Sequence, residues 1–466
     1  MIVMKFGGSS LSNGEKVMEV ASLVERFKDK SPTLVVSALS KVTNFLLSTA
    51  DLAVEGKRNE VTENIEQLTN RHLEVVSQVT GSSEDREHLL SVLTKLIDEL
   101  KGIYHGVLLL HELSPRSLDL ICSFGERLSV HLVSAALRKL GFKTLPVDAR
   151  TFVRTDDKFG SAIVDLEVTQ KLYEDRIVPL INNGIIPVIT GFIGSTAQGV
   201  TTTIGRNGSD YTAAVMGYIL QAEEVWFWKD VDGVMTADPR ICPQAKVVSQ
   251  ISYQEAAEIT YFGGSVIHPR TMQPLILANI PIRLKNTFRP EVPGTLIIAE
   301  PTGARAPLMI SAIDNVSMVT VEGSGLQASP NMVVRVLNAI AQAGVNIYMI
   351  SMSSSEYDVS MVIQKKDTPI ALNALEKELS FLRNVEKSIG RILVEENVSI
   401  IACVGDNLKG RVGIAGKIFS TLGRNGVNII AIAQGSTEHN ISLVVSSNDM
   451  KKSVNCLHQE LEELFR

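Results

Sequence analysis

The sequence predicts an α/β protein with a mainly parallel sheet, followed by a duplicated α+β unit. Three observations carry this. Short apolar runs alternate with helical patterns up to about residue 300, and strands separated by helices imply βαβ crossovers. In the last third, Val345-Asn346-Ile347 returns as Val427-Asn428-Ile429, 82 positions on (346 to 428). The 466 residues are 45% hydrophobic and 21% charged, ordinary globular values that exclude a disordered, collagen-like or coiled-coil chain.

The expected strands are Ile2–Phe6, Thr33–Ser37, Lys143–Val147, Ile185–Thr190, Glu224–Trp228 and Ile280–Leu284. Between the first two, Val17, Val20, Ala21 and Val24 recur along one helical face. Ser12 and Glu15 ahead of that face have capping-box spacing. Residues 55–115 are charged and helical in pattern, an expected insertion of helices. Pro290, Pro293, Gly294, Pro301, Gly303 and Pro307 mark a seam between domains. Beyond it the repeat extends to Val359-Ser360-Met361-Val362 and Ile441-Ser442-Leu443-Val444. Its helices also match, with Val333, Val336, Leu337 and Ile340 over Ala415, Ile418, Phe419 and Leu422. Two copies are too few for a solenoid, so a face-to-face pair of small domains is expected.

Charge and cysteine usage narrow the function classes. Lys plus Arg number 45 against 51 Asp plus Glu, a net −6, so no generally basic surface for nucleic acid is expected. An anionic ligand then needs a local cluster of donors. Cys122, Cys242, Cys403 and Cys456 have no CxxC spacing, which argues against a zinc site or a disulfide framework. A reducing cytoplasm is the expected compartment. Met1–Gly7 lacks a basic region before an apolar stretch, so no signal peptide is expected. No uninterrupted apolar run reaches the roughly 18 to 20 residues of a bilayer span, so no membrane partner is expected.

Two stretches carry chemistry. Lys5-Phe6-Gly7-Gly8-Ser9-Ser10 leaves the first strand and precedes a helix. Two glycines let backbone N–H groups approach an anion, and Lys5 supplies a cation suited to a transferring phosphoryl group. A plain strand–helix turn with a surface lysine fits these six residues equally well. In Thr201–Tyr211 a β-rich run ends in Gly205-Arg206-Asn207-Gly208-Ser209-Asp210. Arg206 suits a carboxylate held bidentately, with Ser209 on another oxygen; taken alone, Asp210 reads as a helix cap. Gly323–Ser329 lacks the third glycine of a dinucleotide fingerprint, and Gly410–Lys417 fails Walker A spacing.

Together these stretches resemble the aspartokinase branch of the amino-acid kinase family. Ser123-Phe124-Gly125-Glu126, Gly191-Phe192-Ile193-Gly194, Trp228-Lys229-Asp230-Val231-Asp232-Gly233 with Asp238-Pro239-Arg240, and Tyr261-Phe262-Gly263-Gly264 with His268-Pro269 are similar to further family segments, in order. The repeat resembles the paired ACT domains of these kinases. The resemblance implies a three-layer amino-acid-kinase sandwich over residues 1–300. Two α+β, ferredoxin-like ACT domains would follow at 301–390 and 391–466, with interleaving allowed. It implies ATP-dependent phosphorylation of the aspartate side-chain carboxylate, with magnesium held mainly by the phosphates. Another acceptor such as glutamate, or an inactive amino-acid sensor, are the alternatives.

By position, Lys5, Phe6, Gly7, Gly8, Ser9 and Ser10 would contact ATP, with Lys229, Asp230, Met235, Arg240 and Ser265. Thr43, Glu126, Arg206, Asn207, Gly208 and Ser209 would hold L-aspartate, Glu126 on its ammonium group. Lys5 would act in catalysis and Asp210 would orient its donors. Bacterial relatives often carry lysine where Ser265 stands and many have threonine at Lys229, so Lys229 is expected to replace the missing phosphate cation. The ACT resemblance implies an amino-acid effector, lysine or threonine. Its candidate contacts are Asn346, Ile347, Ser354, Ser355 and Glu356 in one copy, and Asn428, Gln434 and Glu438 in the other. It also implies a homodimer or higher homo-oligomer.

Overall fold

A computed structural model describes residues 1–263, 267–302, 308–323, 332–352, 358–386 and 389–464. The described chain divides into two compact units, Met1–Gly233 with Ile267–Ala299, and Val234–Val266 with Glu300–Arg466. The first contains β1 (Ile2–Phe6), α1 (Gly14–Arg26), β2 (Pro32–Val36), α2 (Val42–Val54), α3 (Arg58–Val79), α4 (Ser83–Leu110), α5 (Pro115–Lys139) and β3 (Thr144–Val147). It continues through α6 (Leu166–Arg176), α7 (Val178–Asn182), β4 (Ile186–Thr190), β5 (Ile193–Ser195), β6 (Thr201–Thr203), α8 (Gly208–Leu220) and β7 (Glu224–Lys229). After β8 (Gln250–Ser252) and α9 (Tyr253–Tyr261), which belong to the second unit, α10 (Pro269–Leu277), β9 (Ile282–Asn286) and β10 (Thr295–Ile298) complete the first. The second unit adds β11 (Met309–Gly323), α11 (Met332–Gln342), β12 (Ile347–Met352), β13 (Asp358–Gln364), α12 (Thr368–Glu386), β14 (Ile389–Val404), α13 (Ile414–Arg424), β15 (Ala431–Gln434), β16 (Asn440–Ser446) and α14 (Met450–Leu464).

In the first unit the strands run β3-β4-β2-β1-β7-β9-β10. Neighbours are parallel except β9 and β10. All six expected strands are present, the last displaced by two residues to β9. Every residue of β1 is buried, because helices cover both sheet faces. Ile2, Met4 and Phe6 join the core built with α1 to α5. Strand pleating turns Lys5 to the opposite face, where α8 packs on β1. With helices on each side the unit is a three-layer sandwich. β1 has β2 on one side and β7 on the other, so the strand order reverses there. Ligands of open α/β sheets bind beyond the carboxyl ends of strands at such a reversal.

One local expectation is corrected. Asn13, not Ser12, caps α1 by accepting from Lys16 N at 2.9 Å, since the helix begins one residue later than the Ser12–Glu15 box requires. Among the described residues one helix, α5, is long and apolar enough to cross a membrane by length and composition, and 89% of that stretch is buried inside the fold. The segment Val234–Val266 falls in the second unit. Ala237 and Cys242 enter the core formed by Ile401, Cys403, Ile418 and Leu457. Glu255 accepts from Asp406 N at 2.9 Å, and Tyr261 Oη donates to Ile347 O at 2.7 Å.

The repeat in the second unit builds one sheet, β12-β13-β11-β14-β16-β15, rather than two facing ones. The copies join through antiparallel β11 and β14. These long strands serve both cores. Ile310 at the start of β11 packs in the second copy, while Val319 and Val321 farther along pack in the first. At about 4.8 Å per strand a flat sheet would hold its end strands ~24 Å apart. Instead β12 and β15 approach each other, so the sheet curls upon itself.

Candidate active site

The first unit encloses a cleft of about 680 Å³ at the strand-order reversal, lined by Lys5, Gly8, Ala38, Thr43, Glu126 and the Arg206–Asp210 turn among others. Lys5 is the penultimate residue of the buried β1 and is only 8% exposed. Its Nζ lies 2.6 Å from Asp210 Oδ1 in the first turn of α8. Lys229, the last residue of β7, approaches the other oxygen, Nζ to Oδ2 at 3.4 Å. Burial pushes the Asp210 carboxyl up, but Lys5 and Lys229 outweigh it and hold the group below the usual carboxylate range. One carboxylate thus faces two ammonium groups, which leaves positive charge for an anionic ligand.

Glu126 stands on α5 and is 3% exposed. Its Oε1 accepts from Ala38 N at 3.1 Å, and its buried Oε2 has no hydrogen-bond partner among the described residues. Burial pushes its pKa up to about 8. A buried carboxylate oxygen without a donor is costly, and a ligand ammonium would supply that donor. The Arg206 guanidinium has no ion-pair partner among the described residues and is exposed on the cleft rim with Asn207. Asn207 adopts φ 60° as the residue before α8. At Gly208 a Cβ would lie 2.7 Å from the Phe192 ring, so the turn needs glycine there. Ser209 is buried beside it.

The glycine loop divides its residues between cleft and core. A Cβ on Gly8 would lie 3.3 Å from both Ala38 O and Ser40 Cα, so the loops after β1 and β2 meet backbone to backbone. Gly7 stands at the start of the turn and Ser9 is exposed. The Phe6 ring is fully buried and stacked on Trp228 at 5.8 Å, so only its backbone reaches the loop. Ser10 is turned inward, its Oγ 2.7 Å from Thr287 Oγ1. Thr43 is half-buried on the cleft wall, and Asp230 is exposed just past β7. Met235 and Arg240 lie in the second unit, Arg240 paired with Asp238 at 2.6 Å. Ser265, Ser354, Ser355 and Glu356 lie outside the described residues. Ser37, Lys41, Asp119 and Gly160 also line the cleft, and sequence reasoning missed them. Only Asp119 left a signal, standing seven residues before Glu126 on one helix.

The family model for the amino acid kinase family matches residues 1–286, and the ACT domain model matches 319–379 and 401–461. Aspartokinase 2, chloroplastic, of Arabidopsis thaliana is 34% identical over 99% of this chain and 84% of its own length. The chain belongs to the aspartokinase branch of the amino acid kinase family. The bifunctional aspartokinase/homoserine dehydrogenase of Buchnera aphidicola is 32% identical over 99% of this chain. This chain spans 56% of that relative's length, and about half of the other bifunctional relatives it matches. E. coli aspartokinase III in complex with aspartate and ADP superposes with a TM-score of 0.80 at 28% identity, covering 99% of this chain and 100% of that one. The same enzyme in complex with lysine and aspartate gives 0.81 at 28% identity, covering 99% of both chains.

In the ACT region of this aspartokinase relative, Asn346 precedes β12 and Asn428 precedes β15, both exposed. Ile347 offers its carbonyl to Tyr261. Gln434 ends β15 and is exposed, whereas Glu438, at φ 58°, accepts from Gly410 N at 2.7 Å. The equivalent of Gln434 in the first copy is Met352, 45% exposed at the end of β12. The two copies therefore offer different groups at corresponding strand ends.

Proposed function

We propose that this chain is an aspartate kinase, transferring the γ-phosphoryl group of ATP to the side-chain carboxylate of L-aspartate. The product, 4-phospho-L-aspartate, feeds lysine, threonine and methionine synthesis. The observation that carries this reading is the pairing of a buried, partly unsatisfied Glu126 with the Lys5–Asp210–Lys229 cluster in one cleft. Glu126 Oε2 accepts from the substrate ammonium, Arg206 and Ser209 hold its α-carboxylate, and Thr43 closes the wall. The other carboxylate is then aimed at the lysines. With an ordinary pKa near ~3.9 it is already ionised and needs no general base. Its oxygen forms the new bond to the γ-phosphorus while the bond to the β,γ-bridging oxygen breaks, and ADP leaves with that electron pair. Lys5 and Lys229 neutralise charge on the transferring group, and Asp210 orients both. The backbone of Gly7 and Gly8 admits the phosphates closely.

Among the described residues no three His, Cys, Asp or Glu side chains come together to hold a metal ion. A magnesium ion would come with the nucleotide, held mainly by its phosphates, where it would offset their charge. We further propose residues 1–300 as the catalytic part and the interleaved segments 301–390 and 391–466 as regulatory. An amino acid bound at the ACT strand ends lowers activity, and lysine is the first effector to test, given the lysine complex of E. coli aspartokinase III. Association through the ACT pair into a homodimer or larger homo-oligomer belongs to the same reading, as does a reducing cytoplasm for its four free cysteines. Trapping the acyl phosphate with hydroxylamine tests the reaction. Aspartyl hydroxamate should accumulate with ATP and aspartate, and its absence would overturn the proposal.

A further inference from the structure

Asp119 lies on α5 seven residues before Glu126, which places both on one helical face, about 10.5 Å apart along the axis. It is 3% exposed and lines the same cleft. No lysine or arginine pairs with it among the described residues; its carboxylate is instead taken up by three neutral donors. Thr203 N donates at 2.8 Å and Thr203 Oγ1 at 2.7 Å, and Gly160 N lies 3.0 and 2.9 Å from the two oxygens. Thr203 ends β6, three residues ahead of Arg206. Its carbonyl is pinned as well, accepting from Ala162 N at 2.9 Å. Gly160 O lies 2.9 Å from where a Cβ on Gly205 would sit, so the Gly160 loop bears directly on the entry to the Arg206 turn. The acceptor for the substrate ammonium and the tether of the guanidinium turn are thus both mounted on α5, a helix buried along most of its length.

We propose that Asp119 is a positioning residue that fixes the distance between the α-carbon anchors and the phosphoryl-transfer cluster, and thereby selects aspartate over the one-methylene-longer glutamate. Asp119 acquires this role only if the cleft phosphorylates aspartate, as proposed. One methylene discriminates by roughly 10- to 200-fold in a rigid pocket, and a misplacement of ~1 Å costs on the order of 100-fold. Freeing the Arg206 turn from α5 should therefore reduce that discrimination without touching the nucleotide side.

The test compares Asp119→Asn, Thr203→Val and Thr203→Ser with the wild type in the full chain. It measures kcat and KM for aspartate, glutamate and ATP, and the melting temperature of each variant. Asp119→Asn should raise the aspartate KM about tenfold or more, and cut the aspartate-over-glutamate ratio of kcat/KM by a similar factor. The ATP KM should stay within about twofold. Thr203→Val, which loses one of the donors, should move the ratio part of the way, and Thr203→Ser should restore it. A folded Asp119→Asn variant with an unchanged ratio overturns the proposal, as does an ATP KM rising in parallel. Should Asp119→Asn not fold, the Thr203 pair decides, and an unchanged ratio in Thr203→Val overturns it. A wild-type enzyme inert toward aspartate overturns the kinase reading itself, whereas an active wild type with an insensitive ratio overturns only the role of Asp119.

Discussion

At Asp210 one buried carboxylate is shared by Lys5 at 2.6 Å and Lys229 at 3.4 Å, and each lysine can be tested alone. Lys5→Ala should lower kcat by about 10²- to 10³-fold, the usual cost of removing one preorganised donor to a transferring group. Lys229→Ala should raise the ATP KM about tenfold with a smaller loss in kcat; unchanged values for both would show that Lys229 faces solvent in the working enzyme. Glu126 makes a pH prediction. Its pKa in the free site is pushed up to about 8 by burial, and ammonium binding needs the ionised form. The profile of kcat/KM for aspartate should therefore rise through about pH 8, and Glu126→Gln should lose that limb along with most activity. The sign for stability is opposite. A raised folded-state pKa means stability is full below the unfolded value and is lost as pH rises through about 8. The melting temperature of Glu126→Gln should therefore gain on the wild type up to that pH and then level off.

Among the elements, β1 was readable because both faces are buried and its apolar run is broken only by Lys5. The same pleat that hides Ile2, Met4 and Phe6 delivers Lys5 to α8. The Gly8 turn predicts a direct effect. Gly8→Ala places a Cβ 3.3 Å from two backbone atoms that cannot swing away. It should cost on the order of 1–3 kcal/mol in stability by overpacking and raise the ATP KM, as read by thermal melting and steady-state kinetics. What escaped sequence reading depended on partners distant in the chain. Ser12 and Asn13 are both good caps, and the choice follows from where α1 begins. Glu126 accepts from Ala38, 88 positions away, and Asp119 from Thr203, 84 away, so neither environment is written locally. Ser10, an expected ATP contact, has its Oγ 2.7 Å from Thr287 Oγ1, 277 positions away, which no local pattern records.

For the whole molecule, order of motifs conveyed more than composition. A net charge of −6 argued against a generally basic surface, while Lys5 and Lys229 stand near the ends of β1 and β7. The repeat was legible as duplication, but its single curled sheet was not, because pairing of β11 with β14 depends on strands about 80 positions apart (309 to 389). Membership of 234–266 in the second unit likewise depends on which core receives Ala237 and Cys242. The proposed regulation belongs to this scale. Asn346→Ala and Asn428→Ala should differ in their effect on inhibition by lysine, read as the shift in half-inhibitory concentration, because Met352 and Gln434 make the two copies chemically unequal. The central claim is tested most directly by ADP release from the full chain with ATP and either aspartate or glutamate. Aspartate-dependent ADP formation that exceeds the glutamate rate at least tenfold is the predicted result. ADP release that does not respond to aspartate would contradict it.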